Sequence, residues 1–493
     1  MYKNINQFRK HIRIDGPPKR GQYVLYWMQI NRRFEYNYAL DYAVAWANKL
    51  KQPLVILEGV ASDYPWATAR TTMFLLEGMA EHAGLMRERK ELCYFPFPES
   101  KSGEYEFVVK RLCEKASLLI SDEYPVFIMR QRNLRFQSLL SLPFHTVDSS
   151  GIIPMKLTEK DPYSAFIFRK LMQKKMRECL SSPPEENPLK GLGSYGDVTL
   201  EEELSTMREK GFAILQSKER MKEYLLGLRR VVQRIEAVET PGTRAAALDR
   251  MHEFVQEDLL WYDDDRNHPD KDRTSRLSPW LHTGKISSYE IVKQVLAVQP
   301  DGWQLDQVRP VEGKRAGFWG GHAAVGSFLD ELITWRETGF HFAYHRHDYD
   351  RYSSLPSWAL ETLNEHATDP RAYIYSLQEF EEAKTHDPVW NAAQRQLREE
   401  GRIHGYLRML WGKKILEWTP DPETALSVMI ELNNLYALDG RDPNSYSGIF
   451  WTLGRFDRAW GPERPVFGKV RYMSSESARK KTSLEKYLKH YEE

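Results

Sequence analysis

The sequence predicts an α/β domain built on a parallel sheet, followed by an all-helical domain. Three observations point there. Between residues 21 and 150, apolar runs of strand composition alternate with amphipathic helical stretches, the pattern of a sheet covered on both faces. From about residue 221 onward the chain reads as helices broken by Pro/Gly turns. Five tryptophans (Trp390, Trp411, Trp418, Trp451 and Trp460) crowd into residues 385–473.

Taken in order, residues 1–20 read as a mobile arm. YVLYWM at 23–28 is the first strand, 36–50 an amphipathic helix, and PLVILEGV at 53–60 a second strand. A helix follows at 68–89, then strand 92–97, helix 105–116, strand 117–121, a helix near 133–140 and strand 144–147. Residues 21–150 thus form a Rossmann-like domain, although no G-x-G-x-x-G follows its first strand, so the dinucleotide fingerprint is absent. Residues 151–220 read as a connector, with a helix at 163–180 and an exposed Pro/Gly/Ser-rich linker at 181–197. Residues 221–493 are the helical domain.

Composition bounds the function. With 493 residues the chain has room for two or three domains. The net charge is +1, so nothing draws the whole molecule to nucleic acid, and DNA binding would need a local basic patch. Three cysteines without paired spacing suit a reducing compartment. The N-terminus lacks the apolar stretch of a secretory signal, and no run approaches the ~20 apolar residues of a membrane helix. A cytoplasmic monomer is expected. No metal is expected either: His341, His345 and His347 lie in a polar loop and H-E-x-x-H is absent. No G-x-S-x-G supports a hydrolytic triad.

Within 385–473, Asp387 and Pro388 start a helix, Gly401 splits the helical run and Pro420 stops it. On the second piece Arg408, Trp411, Ile415 and Trp418 recur at spacings of three, four and three, which places them on one stripe. Trp411 and Trp418 would stand about 10 Å apart along it. By spacing alone such a stripe reads first as core aromatics.

Upstream, Thr274, Ser275, Arg276, Leu277 and Ser278 make a loop of hydroxyls, backbone N–H groups and an arginine. A pyrophosphate needs such donors, though a Ser/Thr helix cap is the commoner meaning. The glycine-rich run at 315–326 fits no P-loop and reads as a flexible loop entering a helix at 327–338. On that helix Glu331 and Trp335 are four apart and share a face.

Three motifs carry a resemblance to the flavin-binding domain of class II cyclobutane pyrimidine dimer photolyases: HGYLRM-x-W-x-KKILEW, LNN-x4-DGRDPN-x-Y-x-GI-x-W and DRAWG-x2-RPVFGK-x-RYM. The likeness covers most of residues 20–485. It implies a photolyase fold with an all-α FAD-binding domain, and light-driven splitting of a flipped-out dimer in UV-damaged DNA. It assigns FAD contact to Tyr262, Thr274, Ser275, Arg276, Leu277, Ser278, Arg408, Asn433, Asp439 and Arg441, with Arg408–Asp439 a salt bridge beside the flavin ring and Asn433 facing its N5. Glu331, Trp335, Met409, Trp451 and Arg441 would receive the dimer. Trp411, Trp390 and Trp418 would carry electrons to the flavin, Trp411 proximal and Trp418 in a supporting place. Arg441, Arg464, Lys469, Arg471 and Lys480 are candidates for DNA phosphates.

The stretch from Trp27 to Asn37 matches the family's first-strand motif at Arg33 and Asn37, departing from it at Ile30 and Tyr36. An antenna chromophore would sit in that domain. The family more often has Phe and Gln where Thr283 and Lys285 stand. Two other readings remain at this point: a cryptochrome-type blue-light receptor without repair activity, and a non-flavin nucleotide-binding protein.

Overall fold

The computed structural model describes residues 5–87, 89 and 91–492. The chain divides into two compact units. One holds Met1–Leu157, Glu178–Met251 and Leu277–Lys293; the other holds Thr158–Arg177, His252–Arg276 and Gln294–Glu493.

The first unit is built on a six-stranded sheet: β1 (Lys10–Ile14), β2 (Tyr23–Met28), β3 (Leu54–Val60), β4 (Leu92–Pro98), β5 (Ala116–Asp122) and β6 (Phe144–Val147), in the order β1-β6-β5-β2-β3-β4. All neighbours pair parallel except β1, which runs antiparallel to β6. Helices α1 (Tyr38–Leu50), α2 (Ala69–Met86), α3 (Glu104–Lys115) and α4 (Phe127–Leu139) connect the strands. Strands β2 to β5 are buried along their whole length, which is why they read as unbroken apolar runs rather than alternations. α1 starts at Asn37, whose side chain accepts from the N–H groups of Ala39 and Leu40. The predicted α/β class and its five central strands stand. The helix expected at 68–89 is α2; Glu88 lies outside the described residues.

Two expectations change. The arm at 1–20 is not loose where it is described: Lys10–Ile14 closes the sheet edge, and Arg9 behind it is buried, donating to the carbonyls of Gly151 and Ile152 at 3.0 and 2.7 Å. Met1 to Asn4 lie outside the described residues. A single short antiparallel strand carries too little apolar pattern to be seen in sequence. The stretch read as a connector is likewise divided. Its helix Ala165–Leu180 lies mostly within the second unit, whereas the helices Glu202–Ile214 and Lys218–Leu226 pack into the sheet unit through Phe212, Met221 and Leu225.

Arg33 and Asn37, the matches to the antenna motif, are both fully enclosed. Arg33 donates to the carbonyls of Gly284 and Ser149 at 2.9 and 2.8 Å, and Asn37 caps α1. The departure at Lys285 has a local reason. Its Nζ is buried 3.7 Å from Glu58, which also takes Arg32 at 3.2 Å and His82 at 2.7 Å. Gly78 leaves room for it, since a Cβ there would lie 2.2 Å from that Nζ.

The second unit is helical apart from its loops; its bounds differ from the 221–493 expected, since Glu178–Met251 and Leu277–Lys293 belong to the sheet unit and Thr158–Arg177 to the helical one. Among the described residues no helix is long and apolar enough to cross a membrane.

Candidate active site

The helical unit encloses a cavity of about 630 Å³. Its walls include Tyr262, Arg266 and Thr274; Arg315, Glu331 and Trp335; and Tyr406, Met409, Trp451, Asp457 and Arg471. Of the five residues expected to receive a dimer, Glu331, Trp335, Met409 and Trp451 line this cavity and Arg441 does not. The backbone beneath two of them differs from the continuous helix predicted at 327–338. Asp330–Trp335 is a π-helical turn between the α-helices Ala323–Leu329 and Arg336–His345. Such a widened turn inserts one residue into the helical register and is frequent at functional sites. Asp330 makes a two-pronged pair with Arg169, at 2.7 and 3.0 Å, and Asp330 and Glu331 both border the cavity. Glu331 Oε1 accepts from Arg266 Nη1 at 2.5 Å. Burial raises the Glu331 pKa and the neighbouring arginine opposes that rise.

A polar network is built around Arg408, on the helix Gly405–Trp418. Its guanidinium donates to both oxygens of Asp439, at 2.9 and 3.0 Å, and to Asn433 Oδ1 at 2.6 Å. Asn433 Nδ2 donates to Asn434 Oδ1 at 3.1 Å, and Asn434 Nδ2 to the Tyr446 hydroxyl at 3.1 Å. Asn433 is buried, not on a solvated helix face. Asp439→Ala should cost about 2–3 kcal/mol, the worth of hydrogen bonds to a charged partner left unmade; the midpoint of denaturant unfolding measures it. Arg441, one of the candidates for DNA phosphates, is not at the surface. It is buried, with φ +68°, and its Nε donates to the Gly440 carbonyl at 3.2 Å.

Trp411 and Trp418 share the helix Gly405–Trp418, and the third tryptophan comes from another helix. Trp390, on the helix Pro388–Glu400, stands between the other two. Its ring stacks on Trp411 with centroids 6.5 Å apart and planes 5° apart, and meets Trp418 edge-on at 6.1 Å. All three are buried.

The loop expected to hold a diphosphate turns sharply. Asp272 and Arg276 both have positive φ, +44° and +56°, a strained backbone for side-chain-bearing residues. Arg276 pairs with Asp272 at 2.6 Å, and the Thr274 hydroxyl donates to the same carboxylate at 2.9 Å. Leu277 and Ser278 open the short helix Ser278–His282, which belongs to the sheet unit.

Comparison with known proteins gives the family. The chain is 33% identical over 477 residues to a deoxyribodipyrimidine photo-lyase of Methanothermobacter thermautotrophicus, an alignment covering 96% of this chain and 95% of that protein. The chain belongs to the deoxyribodipyrimidine photo-lyase family. It is also 32% identical to the photo-lyase of Arabidopsis thaliana, over 94% of this chain and 88% of the relative. No family model matches the chain. Among solved structures, a class III photolyase of Agrobacterium tumefaciens superposes with a TM-score of 0.62 over 97% of this chain and 87% of its own, at 15% identity, a likeness of fold.

Photo-lyases being FAD enzymes by the resemblance above, the donor set in the helical unit can be tested for fit. His404, at the start of the Gly405–Trp418 helix, is 2% exposed, and neither ring nitrogen has a partner among the described residues. Burial lowers its pKa to about 4, so the ring is neutral, with one donor and one acceptor. A buried polar group left so costs about 1–3 kcal/mol. A ligand offering both donors and acceptors, as FAD does, would relieve it. Sequence reading missed His404 and Arg266. A signal for the second existed: Tyr262 and Arg266 are four apart, and the guanidinium carbon lies 5.7 Å from the Tyr262 ring centre.

Proposed function

We propose that this photo-lyase splits cyclobutane pyrimidine dimers in UV-damaged DNA, that it is of the class II kind, and that the cavity of the helical unit is the dimer's site. The observation that carries the reading is the meeting of Trp335, Trp451, Met409 and the Arg266–Glu331 pair around one cavity. FAD, when bound, reduced and excited by blue light, supplies the electron that opens the cyclobutane ring and recovers it afterwards.

The remaining tasks fall to the chain. A dimer must leave the duplex before anything can reach it, and poor stacking and pairing lower that cost. Trp335 and Trp451 offer flat surfaces that compensate for the stacking lost. Arg266 holds one oxygen of Glu331, and the other is left for the pyrimidine edge. A carboxyl whose pKa is raised can hold the proton that such an edge accepts. Arg471 and Arg315 at the cavity put positive charge where phosphates would lie. Of the other expected phosphate contacts, Lys469 pairs with Glu463 at 3.1 Å and Lys480 with Glu476 at 2.5 Å.

For the cofactor, we assign Arg408, Asp439 and Asn433 to the flavin ring, and Tyr262, Thr274, Ser275, Arg276 and His404 to the rest of the molecule. Trp411, Trp390 and Trp418 relay electrons from the surface. The blue-light receptor reading is not favoured, since the near full-length relatives are photo-lyases. The decisive experiment illuminates the reduced protein with a dimer-containing oligonucleotide and scores restored thymines. Dimers that persist in the light, or vanish equally in the dark, would sink the proposal.

A further inference from the structure

Behind the Trp451 wall lies a buried charge. Lys413, on the helix Gly405–Trp418, is 0% exposed. Its Nζ donates to the Thr452 carbonyl at 2.6 Å and stands 5.0 Å from the centre of the Trp451 ring. No carboxylate lies within ion-pair distance of it among the described residues, whereas its neighbour Lys414 has Glu417 at 2.6 Å. An ammonium removed from water without an anion is costly, so its remaining partners decide whether it stays charged. Two charged groups face it: Asp457, which favours the ammonium, and Arg471, which opposes it. Arg471 also approaches the Trp451 ring, its guanidinium carbon 5.8 Å from the ring centre.

We propose that Lys413 is a positioning residue for the dimer cavity: as an ammonium it holds the Trp451 ring in the wall, and as a neutral amine it releases that ring, so dimer binding weakens as the solution becomes alkaline. This rests on the cavity being the dimer's site. The sign follows from the ring contact. The negative face of an indole attracts the ammonium. The uncharged amine can still donate to the Thr452 carbonyl, but it offers the ring nothing comparable. Burial, the leading influence, lowers the lysine pKa to about 7, so the change falls in the neutral range. A tryptophan fixed before the base arrives loses less freedom on stacking than one that must be ordered then.

The test measures affinity of the flavin-loaded full-length protein for dimer-containing and undamaged oligonucleotides from about pH 6 to about pH 9. The preference for dimer over undamaged DNA removes the general titration of phosphate contacts. In the wild type that preference should fall by up to about tenfold across the range, the cost of ordering one free side chain on binding. Lys413→Met should be weak and keep only the part of the slope that Glu331 contributes. Lys413→Arg should stay tight with the same reduced slope, because a guanidinium keeps its proton. A wild-type preference that does not change with pH, or a Lys413→Met slope equal to the wild type's, overturns the inference. Should Lys413→Met not fold, Lys413→Arg decides alone: a wild-type slope there refutes it. A wild type with no preference for dimers at any pH would instead bring down the cavity assignment, and this inference with it.

Discussion

Replacing Trp390 by phenylalanine is expected to abolish light-driven reduction of the oxidised flavoprotein while leaving repair by chemically reduced enzyme unchanged. Trp390 is the middle of the three rings, stacked on Trp411 at 6.5 Å and meeting Trp418 at 6.1 Å. Its indole N–H donates to the Trp411 carbonyl at 3.0 Å, and that of Trp411 to Gln394 Oε1 at 2.9 Å. The two rings are therefore held by hydrogen bonds as well as packing. Beyond them, Trp418 meets His386 and Tyr375 at 4.9 and 5.8 Å, and Tyr373 beyond is 47% exposed. A phenyl ring is far harder to oxidise than an indole, so the relay would break at its centre. The fold should survive, since Phe keeps much of the ring and avoids most of the ~3–5 kcal/mol lost on truncation of a buried tryptophan to Ala. The visible flavin absorbance under illumination reads the first half of the prediction and thymine recovery after chemical reduction the second. Photoreduction at the wild-type rate would show that electrons take another road.

Trp451→Ala should weaken dimer binding by ~1–3 kcal/mol, roughly 5- to 150-fold, the usual loss when a base loses its stacking partner. Affinity for undamaged DNA should hardly move, because phosphate contacts carry it. Trp335→Ala should act in the same direction. The double variant should lose less than the sum, since both rings serve one ligand. Equal losses on damaged and undamaged DNA would mean that Trp451 supports the surface and does not grip the lesion.

How much of this was legible in the sequence varies by residue. The parallel strands were plain, because burial on both faces makes them continuous apolar runs. The helices around Trp390 and Trp418 were plain too, since Asp387, Pro388, Gly401 and Pro420 mark their ends. The π-helical turn at Asp330–Trp335 was not: one inserted residue leaves no compositional trace. Nor was the strand at Lys10–Ile14, whose partner lies more than a hundred residues away. Lys413 looked like any lysine beside the Trp411 stripe. Its burial depends on Thr452 and Trp451, which the helix itself cannot announce.

By itself the sequence determined the fold class, the family and the kinds of side chain available for the chemistry. Those follow from periodicity, from turn residues and from motifs read locally along the chain. The tertiary structure decided which of them meet. It set Trp390 between Trp411 and Trp418, gave Arg266 to Glu331, buried Arg441, and put the amino group of Lys413 behind Trp451. Contact, burial and pKa belong to pairs of residues far apart in the chain, and only packing chooses the pairs.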